Sequence, residues 1–177
     1  MRKLLTLVAL PAIVAGLFSS CKSNSAASSG SDSTAMMTKK NIQTALAADS
    51  ALVKHDIDGY FKLCSNDYTE LGGQGDKPEK NVDSIKAEMK VFFGAYPDFK
   101  AEDVKAYSGS DAVILTGVYS GTFKNPYLTM KPTGKAFKVF DGDIFTFDKE
   151  GKITSHQGIQ SSSVYMSQVG VVFPEKK

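Results

Sequence analysis

The sequence predicts an α+β fold, a curved antiparallel sheet wrapped on three helices to form a cone with an internal pocket. Three observations carry this. Apolar residues recur at helical spacing in three segments before residue 95. Beyond residue 99 the pattern changes to strands punctuated by glycine and proline turns. The two kinds of segment are segregated along the chain rather than alternating, which favours helices gathered on one side of an antiparallel sheet. A long, twisted sheet of this kind curls round a helix and encloses a cavity.

The N-terminus stands apart from the fold. Arg2 and Lys3 precede an apolar run from Leu4 to Phe18 that is short for a membrane span and has the layout of an export signal. It ends in Leu17-Phe18-Ser19-Ser20-Cys21, and small residues before a cysteine resemble a bacterial lipobox. Residues 1–20 are therefore expected to be a lipoprotein signal peptide, with Cys21 the lipidated residue. An ordinary signal peptide leaving Cys21 free is the competing reading. The Ser/Ala/Gly-rich residues 21–37 offer no face to bury and read as a flexible tether. Residues 38–177 form one domain. The expected location is the bacterial cell envelope, on the periplasmic or outer-membrane side, with the membrane reached through the lipid.

Charge and cysteine content exclude more than they indicate. The formal charge of +2 disappears once Arg2 and Lys3 are set aside, and no basic stripe suggests nucleic acid. With Cys21 assigned to the anchor, Cys64 has no partner for a disulfide. It falls on the apolar side of a short helical pattern and reads as a buried thiol rather than a nucleophile.

The elements follow in order. Ile42, Ala45, Leu46, Leu52 and Val53 mark a helix over 41–53. Asp56 caps a second, short helix through Ile57, Tyr60, Phe61 and Cys64. Residues 68–71 suggest a short strand and 72–80 a polar loop. Val82, Ile85, Met89, Phe92 and Phe93 mark a third helix ended by Gly94. Strands are expected over 99–107, 112–123, 136–147 and 152–163. The second is apolar on both faces and reads as covered on both. The last two are joined by Asp148-Lys149-Glu150-Gly151, with glycine supplying positive φ. Residues 164–169 suggest a final helical turn.

The strand Val139–Phe147, "VFDGDIFTF", poses the functional question. Buried carboxylates are unfavourable unless bonded, paired or protonated. Strand alternation puts Asp141 and Asp143 on the same face as Phe137, Val139 and Phe145. Gly142 between them suggests a bulge that would turn Asp141 to the rim. A calcium loop does not fit, because Phe145 occupies the next ligand position. No metal is expected, since His55 and His156 are far apart in sequence. Asp143 is either a functional acid in an apolar cavity or a structural hydrogen-bond acceptor. His156 is either a pocket residue or a rim residue.

"YPDFKAEDV", "AVILTGVYSGTF" and "PTGKAFKVFDGDIFTFDKEGKITSHQ" resemble the SnoaL-like branch of the nuclear-transport-factor-2-like superfamily over residues 39–170. The resemblance implies a deep pocket and cofactor-independent cyclase, isomerase or dehydratase chemistry, with Asp143 as general acid/base and His156 beside it as the catalytic pair. It implies a substrate-binding set of Tyr60, Tyr68, Glu70, Phe92, Tyr119 and Phe145. Where the cyclases carry a second histidine this chain has Tyr68, Thr69 and Glu70, and the family's His-Trp is His156-Gln157. The first expectation is therefore a lipid-anchored domain whose apolar pocket binds a small hydrophobic molecule, with carbonyl chemistry at Asp143 as the alternative. Relatives also make a homodimer possible, through the face carrying Lys138, Phe140 and Ile144.

Overall fold

The computed structural model describes residues 28–72, 77–109, 111–159 and 162–171. The expected signal peptide and Cys21 lie outside these residues. The elements are α1 (Ser28–Val53), α2 (Ile57–Phe61), β1 (Cys64–Glu70), α3 (Val82–Ala95), β2 (Lys100–Ser108), β3 (Ala112–Thr122), β4 (Ala136–Phe147), β5 (Ile153–Gly158) and α4 (Ser162–Gln168). The sheet order is β1-β5-β4-β3-β2. Strands β2 to β5 form the expected antiparallel meander, and β1 joins β5 in parallel. The sheet is curved and open, in agreement with the α+β cone.

Several boundaries differ from the sequence reading. Helix α1 starts at Ser28, so the part of the expected tether from Ser28 onward is helical. Its residues Asp32–Met36 are exposed: beyond Gly30 nothing there breaks a helix, although nothing buries it. Cys64 opens β1 instead of closing α2. Gly94 lies inside α3, which runs on to Ala95. The last strand ends at Gly158, and α4 takes up residues expected to extend it.

Local chemistry explains the starts and turns that sequence placed well. The Asp56 carboxylate accepts a 2.8 Å bond from the Gly59 N–H, and Asn81 caps α3 through bonds from Asp83 and Ser84. Gly151 has φ +73° in the β4–β5 turn, where Asp148 accepts from the Glu150 and Lys152 N–H groups.

Strand β4 organises the interior. Its inner face reads Phe137, Val139, Asp141, Asp143, Phe145. Phe137 and Val139 belong to one apolar cluster with Tyr96, Tyr119 and Met166. Phe145 belongs to another with Ala45, Ala48, Tyr68 and Leu115. The two aspartates thus fall between two cores. The bulge expected at Gly142 is absent: Leu115, Thr116 and Gly117 pair with Asp143, Gly142 and Asp141 without interruption. Both acids therefore face inward. The glycine serves close approach, because a Cβ there would lie 2.9 Å from Ile159 Cδ1 and 3.1 Å from the Leu115 carbonyl oxygen.

The outer sheet face is open, which corrects the expectation that β3 is covered on both sides. Phe140 is 68% exposed, Tyr107 56% and Ile114 37%. A strand with apolar residues on both faces looks doubly buried in sequence, yet apolar atoms also populate surfaces.

Candidate functional site

His156 of β5 is the centre of the site. It pairs with Phe145 on one side and, through the parallel strand, with Glu70 on the other. Its Nδ1 lies 3.0 Å from both Glu70 carboxylate oxygens. Its Nε2 lies 2.9 Å from Asp143 Oδ1. A neutral imidazole has one N–H, but here both nitrogens face carboxylates, so the ring is an imidazolium donating twice. Burial alone would lower its pKa, but the Glu70 charge and the bonds to Asp143 and Glu70 raise it to about 10. Burial opposes the charge on Glu70 as well, yet the His156 charge and the bonds from His156, Tyr68 and Gly72 hold its pKa below the usual range.

The chain of bonds continues at both ends. Tyr68 donates to Glu70 Oε2 at 2.7 Å, and Tyr60 and Tyr68 hydroxyls are 2.9 Å apart. At the other end the Tyr119 hydroxyl lies 3.1 Å from Asp143 Oδ2 and 3.1 Å from Asp49 Oδ1. One hydroxyl carries one proton and cannot donate to both. When Asp49 is protonated the conflict disappears: Asp49 donates to Tyr119, which donates to Asp143. Burial pushes the Asp49 pKa up to about 6, with the Tyr119 bond opposing and the Asp143 charge adding to it. Asp49 is thus the acid whose proton is exchangeable near neutral pH.

Two of the cavities that border this chain of bonds touch His156. One, of about 240 Å³, is lined by Asp49, Tyr119, Asp141, Asp143 and His156 together with aromatic residues of α3 and α4. The other, of about 300 Å³, touches Glu70, Met89, Tyr127 and His156. Leu52, Phe92, Phe93 and His156 border both.

The expected site residues divide accordingly. Asp143, His156, Glu70, Phe92 and Tyr119 border the cavities. Tyr60, Tyr68 and Phe145 have at most 1% of their surface exposed and stand behind the site. As direct ligand contacts these three are corrected: the tyrosines support Glu70, and the Phe145 ring lies 4.9 Å from that of His156. His156, expected beside Asp143, does stand there, with one ring nitrogen bonded to Asp143 and the other to Glu70. Asp49 was not singled out by sequence. It falls four residues after Ala45 and three before Leu52, on the buried stripe of α1, and a lone acid on such a stripe is the signal that could have found it.

Cys64 plays no part in this chemistry. Its Sγ lies 3.6 Å from the Tyr60 carbonyl oxygen, and burial pushes its pKa up to about 12. A thiol reagent should label native protein at pH 7 far more slowly than unfolded protein; equal rates would contradict the buried position.

The model of the SnoaL-like polyketide cyclase family matches residues 42–169. The chain belongs to this family. Among curated sequences none matches. The SnoaL-like domain is similar in fold to a proposed polyketide cyclase from Xanthomonas campestris, at 15% identity and TM-score 0.68, covering 76% of this chain and 99% of that one. A proposed SnoaL-like polyketide cyclase from Jannaschia gives 16% identity and TM-score 0.69, with 77% and 96% covered. An LEH-like epoxide hydrolase from Mycobacterium tuberculosis gives 14% and 0.58, with 75% and 90% covered. SnoaL-like and related folds thus include proteins described as cyclases and as an epoxide hydrolase.

Proposed function

We propose that the domain holds a small, largely apolar molecule in the aromatic cavity and exchanges a proton with it through Asp49, Tyr119 and Asp143, without a cofactor. The observation that carries this reading is the Asp49–Tyr119–Asp143 arrangement at the wall of an apolar cavity. A carboxyl group with pKa about 6 is ionised enough at neutral pH to accept a proton and basic enough to remove one from a carbon beside a carbonyl. Asp143 receives its orientation from His156 and Tyr119, and the imidazolium offsets its charge. The described activities of similar folds, ring closure and epoxide opening, fit acid–base chemistry of this kind.

A test is solvent deuterium exchange into small aliphatic and aryl ketones, followed by proton NMR. Exchange faster than buffer at the carbon beside the carbonyl is expected. Saturable ligand binding with no exchange in any ketone would overturn the catalytic part and leave a binding protein. That second reading draws support from Asp143 itself, both of whose oxygens are already bonded.

We further propose that the domain is tethered to the bacterial envelope through lipidated Cys21. Cys21→Ser should move the protein from the membrane fraction to the soluble fraction. Retention of the variant on membranes, with no lipid on the wild type by mass spectrometry, would refute this. Among the described residues no helix is long and apolar enough to cross a membrane.

A further inference from the structure

The 240 Å³ cavity has an unusual balance of linings. Its walls are aromatic: Phe92 and Phe93 from α3, Phe99 before β2, Tyr119 from β3, Phe137 from β4 and Tyr165 from α4. Besides the tyrosine hydroxyls and His156, its polar groups are the carboxyls of Asp49, Asp141 and Asp143. Among the lining residues there is no lysine or arginine, and the one cationic group, His156, has both nitrogens bonded to carboxylates. The neighbouring cavity has Glu70 and Glu88 and no lysine or arginine; Lys77 enters only in the outer pocket beyond it, which shares Glu70 and Glu88. Lys138 of β4 lies on the other sheet face and is bonded to Glu102.

We infer that this cavity selects a small organic cation, an apolar molecule whose polar end is a protonated or quaternary amine. The inference rests on the ligand-binding reading above and narrows it. Rings present their negative faces to a desolvated cation, and enclosure by several rings strengthens the attraction. Asp49, whose bonded partner is the Tyr119 hydroxyl, adds its charge to this attraction when ionised. An anionic ligand meets the opposite field. A neutral ligand gains only the apolar wall.

The inference carries a pH dependence. The titratable groups around Asp49 are Tyr119 of β3, Asp141 and Asp143 of β4, His156 of β5 and Tyr165 of α4, while α3 presents phenyl rings. Burial pushes the Asp49 pKa up to about 6. A bound cation favours ionised Asp49, so binding expels a proton and strengthens as pH rises from 5 to 8.

The test uses choline and its uncharged isostere 3,3-dimethylbutan-1-ol as probes, titrated into the whole folded domain by calorimetry or ligand NMR in physiological salt. Choline should bind about tenfold or more tightly than the alcohol at pH 8. The preference should shrink at pH 5 and in Asp49→Asn, while Tyr165→Leu should weaken choline more than the alcohol. Equal binding of the two probes, or binding of the alcohol alone, overturns the inference and leaves the apolar pocket standing. Binding of neither probe overturns both. Preference for choline that is the same at pH 5 and pH 8 and survives in Asp49→Asn also overturns it, because the cation would then be held elsewhere.

Discussion

His156→Phe should destabilise the domain by about 3–5 kcal/mol at pH 7, because it leaves Glu70 and Asp143 without the charge they share. The three side chains are only 14%, 16% and 24% exposed, so water screens the loss poorly. The ring keeps a similar size, which separates this effect from a cavity. Linkage gives the change a shape in pH. His156 titrates near 10 in the folded protein against an ordinary value of 6.5. Its contribution is therefore complete below pH 6.5 and is lost as pH rises through about 10. Wild-type stability should fall across that window and the variant should lack this slope. The gap should also narrow in acid, because the paired Glu70 stabilises the wild type only above its lowered pKa. Urea unfolding at pH 4, 7 and 10 reads all three features. A loss below about 1 kcal/mol with an unchanged pH slope would mean that the cluster is effectively solvated.

The same cluster shows what a sequence makes legible. The short-range features were readable because their causes are local: the Asp56 cap, the Gly151 turn and the alternation along β4 depend on neighbours a few residues away. Alternation alone put Asp143 inside. What could not be read was who meets it. Glu70 reaches His156 only because β1 joins β5 in parallel across 86 residues of sequence, and no local pattern announces such a pairing. The face of His156 was open for the same reason, since its strand is short and its register is set by β4 and β1 together. Asp49 is a different case. It lies on a readable helical stripe, but its partner Tyr119 is 70 residues away, so its buried role follows from tertiary packing. Asp143, expected among aromatic residues, is bonded to His156 and to Tyr119, which also meets Asp49.

Asp49→Asn should produce opposite changes in activity and stability. The amide keeps the shape but cannot exchange the proton, so turnover in the ketone exchange reaction should fall by about 10²–10⁴-fold. Wild-type rate should rise with pH through about 6 and then level, as the ionised base forms. Stability should move the other way. A carboxyl whose folded pKa is raised holds its proton more tightly in the native state, so it weakens the fold as pH rises from the unfolded value of 3.8 through about 6. Above that range the wild type carries a buried charge that the amide lacks. The variant should be more stable at pH 7 by on the order of 1–3 kcal/mol, with the difference vanishing near pH 4. Residues kept for chemistry at the expense of stability give this paired signature. Thermal unfolding and exchange rates measured on the same samples test it. A variant that is fully active, or one that is less stable at pH 7 and no different in its pH profile, would reduce Asp49 to a structural hydrogen-bond partner of Tyr119 and return the proton-transfer role to Asp143 alone.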